Sequence, residues 1–264
     1  MEDIQIKKQG HIAIITINRP KVLNAFRAQT HRELTEAVIE VGKDPDIYVI
    51  ILNSAISKAF TAGGDIKEES QLTGETAYEF SQVGQTCAMT IYNSPIPVIA
   101  AVEEYALGWG LEVILAADIT VAAKSAKIGI PTINLAGIPC WTGTQLLSRV
   151  AGASRACDIL LTGRTLSAEE CYDLNLVEYL TEEGQLMDKA MEIAETIADK
   201  SPHAVALMRK AIKQGLELPM SDALELERKL FVECYDSEDR KEATKAFLEK
   251  RPHGQYNNRD GVKK

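Results

Sequence analysis

Two glycine-rich turns, in Ala59-Phe-Thr-Ala-Gly-Gly-Asp-Ile-Lys67 and Ala106-Leu-Gly-Trp-Gly-Leu-Glu112, constrain this chain more than any other feature. Glycine enters backbone conformations that a Cβ forbids, so each turn can carry the chain tightly into the apolar helix that follows. The neighbouring segments keep the same rhythm. Ile4 to Lys8 and Ile12 to Ile17 read as strands broken at Gln9-Gly10. Arg32 to Val41 has helical spacing, with Leu34, Ala37, Val38 and Val41 on one face. Tyr48 to Leu52, Pro97 to Val102 and Ile119 to Ala123 read as buried strands, and Ala77 to Tyr92 and Gly110 to Ala117 as helices. Residues 54–64 read as loop. This alternation predicts an α/β core with mostly parallel pairing. From about Gln145 the pattern turns helical, with one more strand near Leu176 to Leu180. Pro202 to Lys250 reads as three helices separated near Leu218-Pro219 and Asp236-Ser237, with Ser221 and Ser237 as caps, and residues 252–264 as a frayed end. The division expected is a core over 1–197 and a helical region over 198–264.

Chemically, two such turns can aim a pair of backbone N–H donors at one oxygen, the outline of an oxyanion hole. Glu112 lies one short step past the second turn. The alternative is that these are only tight strand-to-helix connections. Composition narrows the field. With 264 residues, 45% apolar and 25% charged, the chain has the make-up of an ordinary globular protein. A net charge of −9 argues against a nucleic-acid surface, and any phosphate-bearing ligand must be met by local lysines. The apolar runs are too short to span a bilayer and the N-terminus lacks a signal-peptide pattern, so a cytoplasmic location and no membrane partner are expected. Five scattered cysteines with no CxxC pair fit reduced thiols better than disulfides. The four histidines show no metal-ligand spacing, so neither a metal site nor a Ser-His-Asp triad is expected.

The order of these segments resembles the crotonase (enoyl-CoA hydratase/isomerase) superfamily over residues 3–251. The likeness rests on Ile17-Asn18-Arg19-Pro20-Lys21-Val22-Leu23-Asn24-Ala25, the two glycine turns, Pro97 to Val102, Ala117-Asp118, Gly143-Thr144-Gln145, Leu161-Thr162-Gly163, Asp239-Arg240-Lys241 and Phe247 to Arg251. What it implies is an α/β spiral of ββα units followed by a C-terminal helical trimerisation region, the trimers commonly paired as hexamers. The implied ligand is an acyl-CoA thioester, with coenzyme A present only as part of the substrate and no separate cofactor. The implied oxyanion donors are the amides of Gly64 and Trp109. Implied substrate contacts are the Lys21–Leu23 strand end (Lys21, Val22 and Leu23), Ala62, Asp65, Ile66, Lys67 and Trp141, with Phe247 and Lys250 reaching a neighbouring subunit's ligand.

The chain also departs from the pattern. Hydratases of this family set two glutamates around one water; Glu112 holds the first position, and Thr132 stands at the second. Threonine is no acid or base near neutral pH, though it can hold a water. Other branches place an acid where Cys140 stands, a thiol that could take part in proton transfer or simply fill space. Trp109 replaces a glycine of the family turn; with Trp141 it could wall an acyl pocket for a flat or ring-bearing group, or serve packing alone. Glu103-Glu104 replaces the usual Asn-Gly, two acids that face solvent or, for Glu104, approach the site; Glu68 and Glu69 open the next segment with the same two readings. The function expected is an enoyl-CoA hydratase-like lyase working with an oxyanion hole and a single glutamate, on a conjugated or cyclic dienoyl-CoA among other acyl groups. The alternatives are isomerisation, decarboxylation or C–C hydrolysis through the same enolate, or acyl-CoA binding without catalysis.

Overall fold

The computed structural model describes residues 1–259. A six-stranded sheet forms its centre, in the order β1 (Ile4–Gln9), β2 (Ile12–Ile17), β3 (Val49–Ser54), β5 (Val98–Val102), β7 (Ile119–Ala123) and β10 (Tyr179–Thr181). Only the β1–β2 hairpin is antiparallel; every other pair runs parallel. Parallel strands covered on both faces need apolar side chains on both, which is why β5 reads Val-Ile-Ala-Ala-Val and is buried throughout. One face carries Ile12, Val49, Ile51, Ile99, Ala101 and Val121 against α8 (Leu186–Ala198). The other presents Ala13, Ile15, Ile50, Leu52, Ala100 and Val102 to α1 (Ala28–Lys43), α3 (Gly74–Tyr92) and α4 (Trp109–Ala116).

A second sheet runs β4 (Ala59–Thr61), β6 (Tyr105–Leu107), β8 (Lys127–Gly129) and β9 (Leu166–Ser167). The chain therefore repeats one unit: a strand in the large sheet, a short strand in the small one, then helix. β3, β4 and α2 (Ile66–Glu69) with α3 make the first turn, β5, β6 and α4 the second. In the third, β7 and β8 lead into a 3₁₀ turn at Pro131–Leu135, α5 (Gly143–Ala151) and α6 (Ala153–Thr162). Because β4, β6 and β8 pair in parallel, their C-terminal ends stand side by side. α7 (Ala168–Asp173) follows β9, and α9 (Pro202–Gly215), α10 (Met220–Tyr235) and α11 (Glu238–Leu248) close the chain. A half-buried charge cluster ties α9 to the core: Arg209 pairs with Asp118 at 2.7 Å and donates to the carbonyls of Tyr92, Ile91 and Ser94.

Five expectations need correction. Residues 54–64 contain β4, which pairs in parallel with β6. Lys21–Leu23 is no strand end: Pro20 fixes the chain into a 3₁₀ turn over Pro20–Val22, and Leu23 and Asn24 follow in the left-handed region at φ 50° and 57°. Beyond the strand near Leu176, the C-terminal half holds β9, antiparallel to β8. Ser237 caps α11, but α10 starts at Met220 after Pro219, and the Ser221 hydroxyl bonds to Asp222 instead. The tail read as frayed is tied back over 252–259: the Asn257 N–H donates to Asp239 at 2.9 Å, and Arg259 to the carbonyls of Gly42 and Asp44 at 2.7 Å; residues 260–264 lie outside the described residues.

Candidate active site

Three neighbouring strand ends build the site. After β4, Gly63 turns the chain at φ +107°; a side chain there would lie 3.1 Å from the Leu107 carbonyl oxygen, so the two turns touch. After β6, Gly108 adopts φ 52° and ψ −110°, and a Cβ at Gly108 would sit 4.0 Å from the Gly64 nitrogen. Only glycine accepts that close approach and that backbone together. Among the described residues, neither the Gly64 nor the Trp109 N–H donates to a protein acceptor. Trp109 opens α4, whose first amides have no partner within the helix, so its donor is free for structural reasons. After β8 comes Thr132, on the 3₁₀ turn, half-buried, its methyl against Gly137 and its hydroxyl unpartnered among the described residues.

Glu112 lies one helical turn into α4 and is 1% exposed. Its Oε1 accepts the N–H groups of Thr142 at 2.7 Å and Gly143 at 2.6 Å, where α5 begins. Burial dominates and pushes the carboxyl up to about 7; the amides of Thr142, Gly143 and Trp141 pull it back, and the charge of Glu69 pushes it further up. Burial, aided by the charges of Glu112 and Glu69, pushes the Cys140 thiol up to about 12, so it stays a thiol at neutral pH rather than a thiolate base.

Beside the turns lies an aromatic cluster. Trp109 is wholly buried, and its indole meets His31 edge-on at 4.5 Å, Phe26 at 5.5 Å and Trp141 at 5.5 Å. Trp141 also packs on His31 and Phe80, and its ring fills the space over Gly84 of α3. A Cβ at Gly64 would stand 3.1 Å from the Trp141 ring, so this indole borders the turn directly. Burial holds His31 down to about 3, hence neutral. Both its ring nitrogens and both indole N–H groups lack a partner among the described residues.

The other expected contacts separate into groups. Lys21, Val22, Leu23, Ala62, Ile66 and Lys67 form one exposed ledge, joined where the Ala62 N–H donates to the Leu23 carbonyl at 2.9 Å. Asp65 has a structural task instead: it caps α2 through the Lys67 N–H and pairs with Arg19 at 3.1 Å. Phe247 and Lys250 stand at the end of α11, which packs on α10, and Phe247 is 81% exposed. Glu103 and Glu104 line a surface hollow with Leu23 of the ledge, Lys58, Lys124, Glu182 and Glu183. An apolar groove of about 830 Å³ lies elsewhere, under α9. Sequence reasoning left Glu69 ambiguous between solvent and site and did not single out His31. Glu69 reaches the site because a short α2 turns it toward Gly64: a Cβ at Gly64 would lie 1.8 Å from its Oε1.

Residues 7–258 match the family model described as enoyl-CoA hydratase/isomerase. The chain is 36% identical over 259 residues to a short-chain-enoyl-CoA hydratase of Clostridium acetobutylicum, covering 98% of this chain and 99% of that one. It is 35% identical over 250 residues to a crotonyl-CoA hydratase of Syntrophomonas wolfei, covering 95% and 96%. The crystal structure of an enoyl-CoA hydratase from Bacillus anthracis superposes with a TM-score of 0.92 at 35% identity, covering 96% of this chain and 98% of that one.

Proposed function

The chain belongs to the enoyl-CoA hydratase/isomerase family, the crotonases, and from that membership and the geometry of its turns we propose that it adds water across the double bond of a short enoyl-CoA. The observation that carries the reading is Glu112: a buried carboxylate, poised at about 7, beside two unpartnered amides. The Gly64 and Trp109 N–H groups bind the thioester oxygen and hold the negative charge that gathers there as water attacks Cβ. Each donor of this kind is worth about 10²–10³ in rate. Glu112 takes the proton from the attacking water, a step worth about 10²–10⁴. A carboxylate near 7 suits that exchange, because neither of its protonation states is strongly preferred.

Coenzyme A enters as part of the substrate. The exposed ledge offers Lys21 and Lys67 to its phosphates, which the net charge of −9 would otherwise repel, and Ala62 and Ile66 to its apolar arm. The support for a short acyl group is the Trp141 ring bordering Gly64, with Trp109 and His31 packed behind it. The active species in this reading is a homotrimer or hexamer, in which Phe247 and Lys250 of one subunit approach the ligand of the next. Its place is the cytoplasm: all five cysteines are free, and among the described residues no helix is long and apolar enough to cross a membrane.

Mass spectrometry of crotonyl-CoA and of linear and cyclic dienoyl-CoAs, incubated with the protein in D₂O, tests the reading. The expected product is heavier by one water and is lost with Glu112→Gln. Deuterium uptake without added water would replace hydration by isomerisation, and an unchanged panel would leave an acyl-CoA-binding protein.

A further inference from the structure

Hydration moves two protons. One leaves the water as its oxygen bonds to Cβ, and another arrives at Cα. Glu112 can perform one transfer, but the hydroxyl of Thr132 cannot perform the other near neutral pH. A second carboxylate nevertheless stands in the site, delivered by a different element. Of the three acids at the start of α2, two are committed: Asp65 caps the helix and pairs with Arg19, and Glu68 accepts the Ala28 N–H at 2.8 Å where α1 begins. Glu69 makes no hydrogen bond or ion pair through its side chain among the described residues. Its Oε1 occupies the space over the Gly64 Cα, beside the Trp141 ring.

We infer that Glu69 is the second catalytic carboxylate of this site, completing with Glu112 the proton pair that Thr132 cannot supply. The inference rests on the hydratase reading above. A thioester whose oxygen is held by the Gly64 amide carries its Cα and Cβ past the Glu69 carboxyl, because that carboxyl lies against the same glycine. The electrostatics agree. Burial is the main cause that raises Glu69, with the charges of Asp65 and Glu68 adding to it, while the charge of Glu69 in turn raises both Glu112 and Cys140. Both carboxyls are thus pushed toward their neutral forms, so each can give a proton as well as take one.

The step balances. As the water oxygen bonds to Cβ, its proton passes to the Glu112 carboxylate. The double-bond electron pair moves toward the carbonyl, and its charge rests on the thioester oxygen between Gly64 and Trp109. The Glu69 carboxyl then gives its proton to Cα as the enolate collapses. One water has been added, and the pair keeps its charge with the proton moved from Glu69 to Glu112. The cycle closes when Glu112 releases that proton as product leaves and half-buried Glu69 takes one up from solvent.

The test uses the full-length protein with crotonyl-CoA as substrate and butyryl-CoA, which has no double bond, as binding probe. Glu69→Gln is expected to lower kcat by about 10²–10⁴ with KM little changed, to remove one limb of the kcat–pH profile, and to leave butyryl-CoA affinity intact. Glu69→Asp is expected to recover part of the rate. Full kcat in Glu69→Gln, or a loss confined to KM, would overturn the inference while wild-type hydration left the proposed function standing. If Glu69→Gln fails to bind butyryl-CoA, Glu69→Asp decides: reduced kcat at unchanged affinity supports the inference, and full kcat overturns it. A wild-type protein that hydrates no enoyl-CoA would remove the hydratase reading and this inference with it.

Discussion

Glu112 makes a trade that stability measurements can read. Its neutral form is favoured in the fold, since its ordinary value near 4.5 rises to about 7. Below pH 4.5 both folded and unfolded chains hold the proton and nothing is lost. Between 4.5 and 7 the unfolded chain releases it while the folded chain keeps it, so stability falls as pH rises, and above 7 the loss is constant. The gap corresponds to about 3 kcal/mol. Urea unfolding of Glu112→Gln beside the wild type should therefore show the variant gaining about that much, relative to wild type, between pH 4.5 and 7.5. A pH-independent difference would mean that Glu112 ionises in the fold as it does in water. The same desolvation that costs stability makes the group useful in proton transfer.

At the scale of elements, the site exists because successive ββα units end their short strands next to one another. This explains which parts of it sequence reasoning could reach. The glycine turns were visible because Gly63 and Gly108 hold backbones that other residues resist, a demand written in composition. β4, β6, β8 and β9 were not read as strands, because runs of two or three residues are too short to show an alternation. Glu69 stayed ambiguous because adjacent residues on a helix point about 100° apart. The rotation that sends Glu68 to α1 and Glu69 to Gly64 is set by where α2 starts, not by residue type. Gly84 shows a similar dependence within α3. A Cβ there would lie 1.9 Å from Trp141 Cδ1, and that ring is pinned by His31, Phe80 and Trp109. Alanine would gain up to about 1 kcal/mol in helix propensity but would overpack a buried ring at a cost of about 1–3 kcal/mol. Gly84→Ala should thus unfold at lower urea than wild type, with weaker binding of butyryl-CoA as Trp141 is displaced toward Gly64.

For the whole molecule, a charge cluster around Arg209 joins the core to α9. Arg209 satisfies Asp118 and three carbonyls of the segment that ends α3. Removing it leaves the Tyr92 and Ser94 carbonyls without that donor, while Ile91 keeps the Ser94 N–H and Asp118 keeps the Val98 N–H at 2.8 Å and Lys213 at 3.3 Å. Arg209→Ala is expected to lose about 3–5 kcal/mol in equilibrium unfolding. A loss within the range of surface substitutions would show that α9 is held by packing. The same region exposes Met208 and Ile212 on α9, Leu216 just past its end, and Leu224, Phe231 and Val232 on α10. Large apolar side chains exposed on two neighbouring helices fit a partner surface, and a second copy of the chain is the expected partner. Light scattering should report a trimer or hexamer, and Ile212→Glu combined with Phe231→Glu a smaller species.

The chain contains two tryptophans, and both stand in the aromatic cluster beside Gly64. Its ultraviolet emission is therefore a local signal that needs no label. With the indoles 5.5 Å apart and nearly perpendicular, excitation is shared between them, so a change at Trp141 alters the light from both. Saturating butyryl-CoA should shift or quench the emission, and Trp141→Phe should remove most of that response. A spectrum indifferent to the ligand would mean that the acyl group lies away from this ring, whereas a responsive one would let each catalytic cycle be followed by stopped-flow fluorescence.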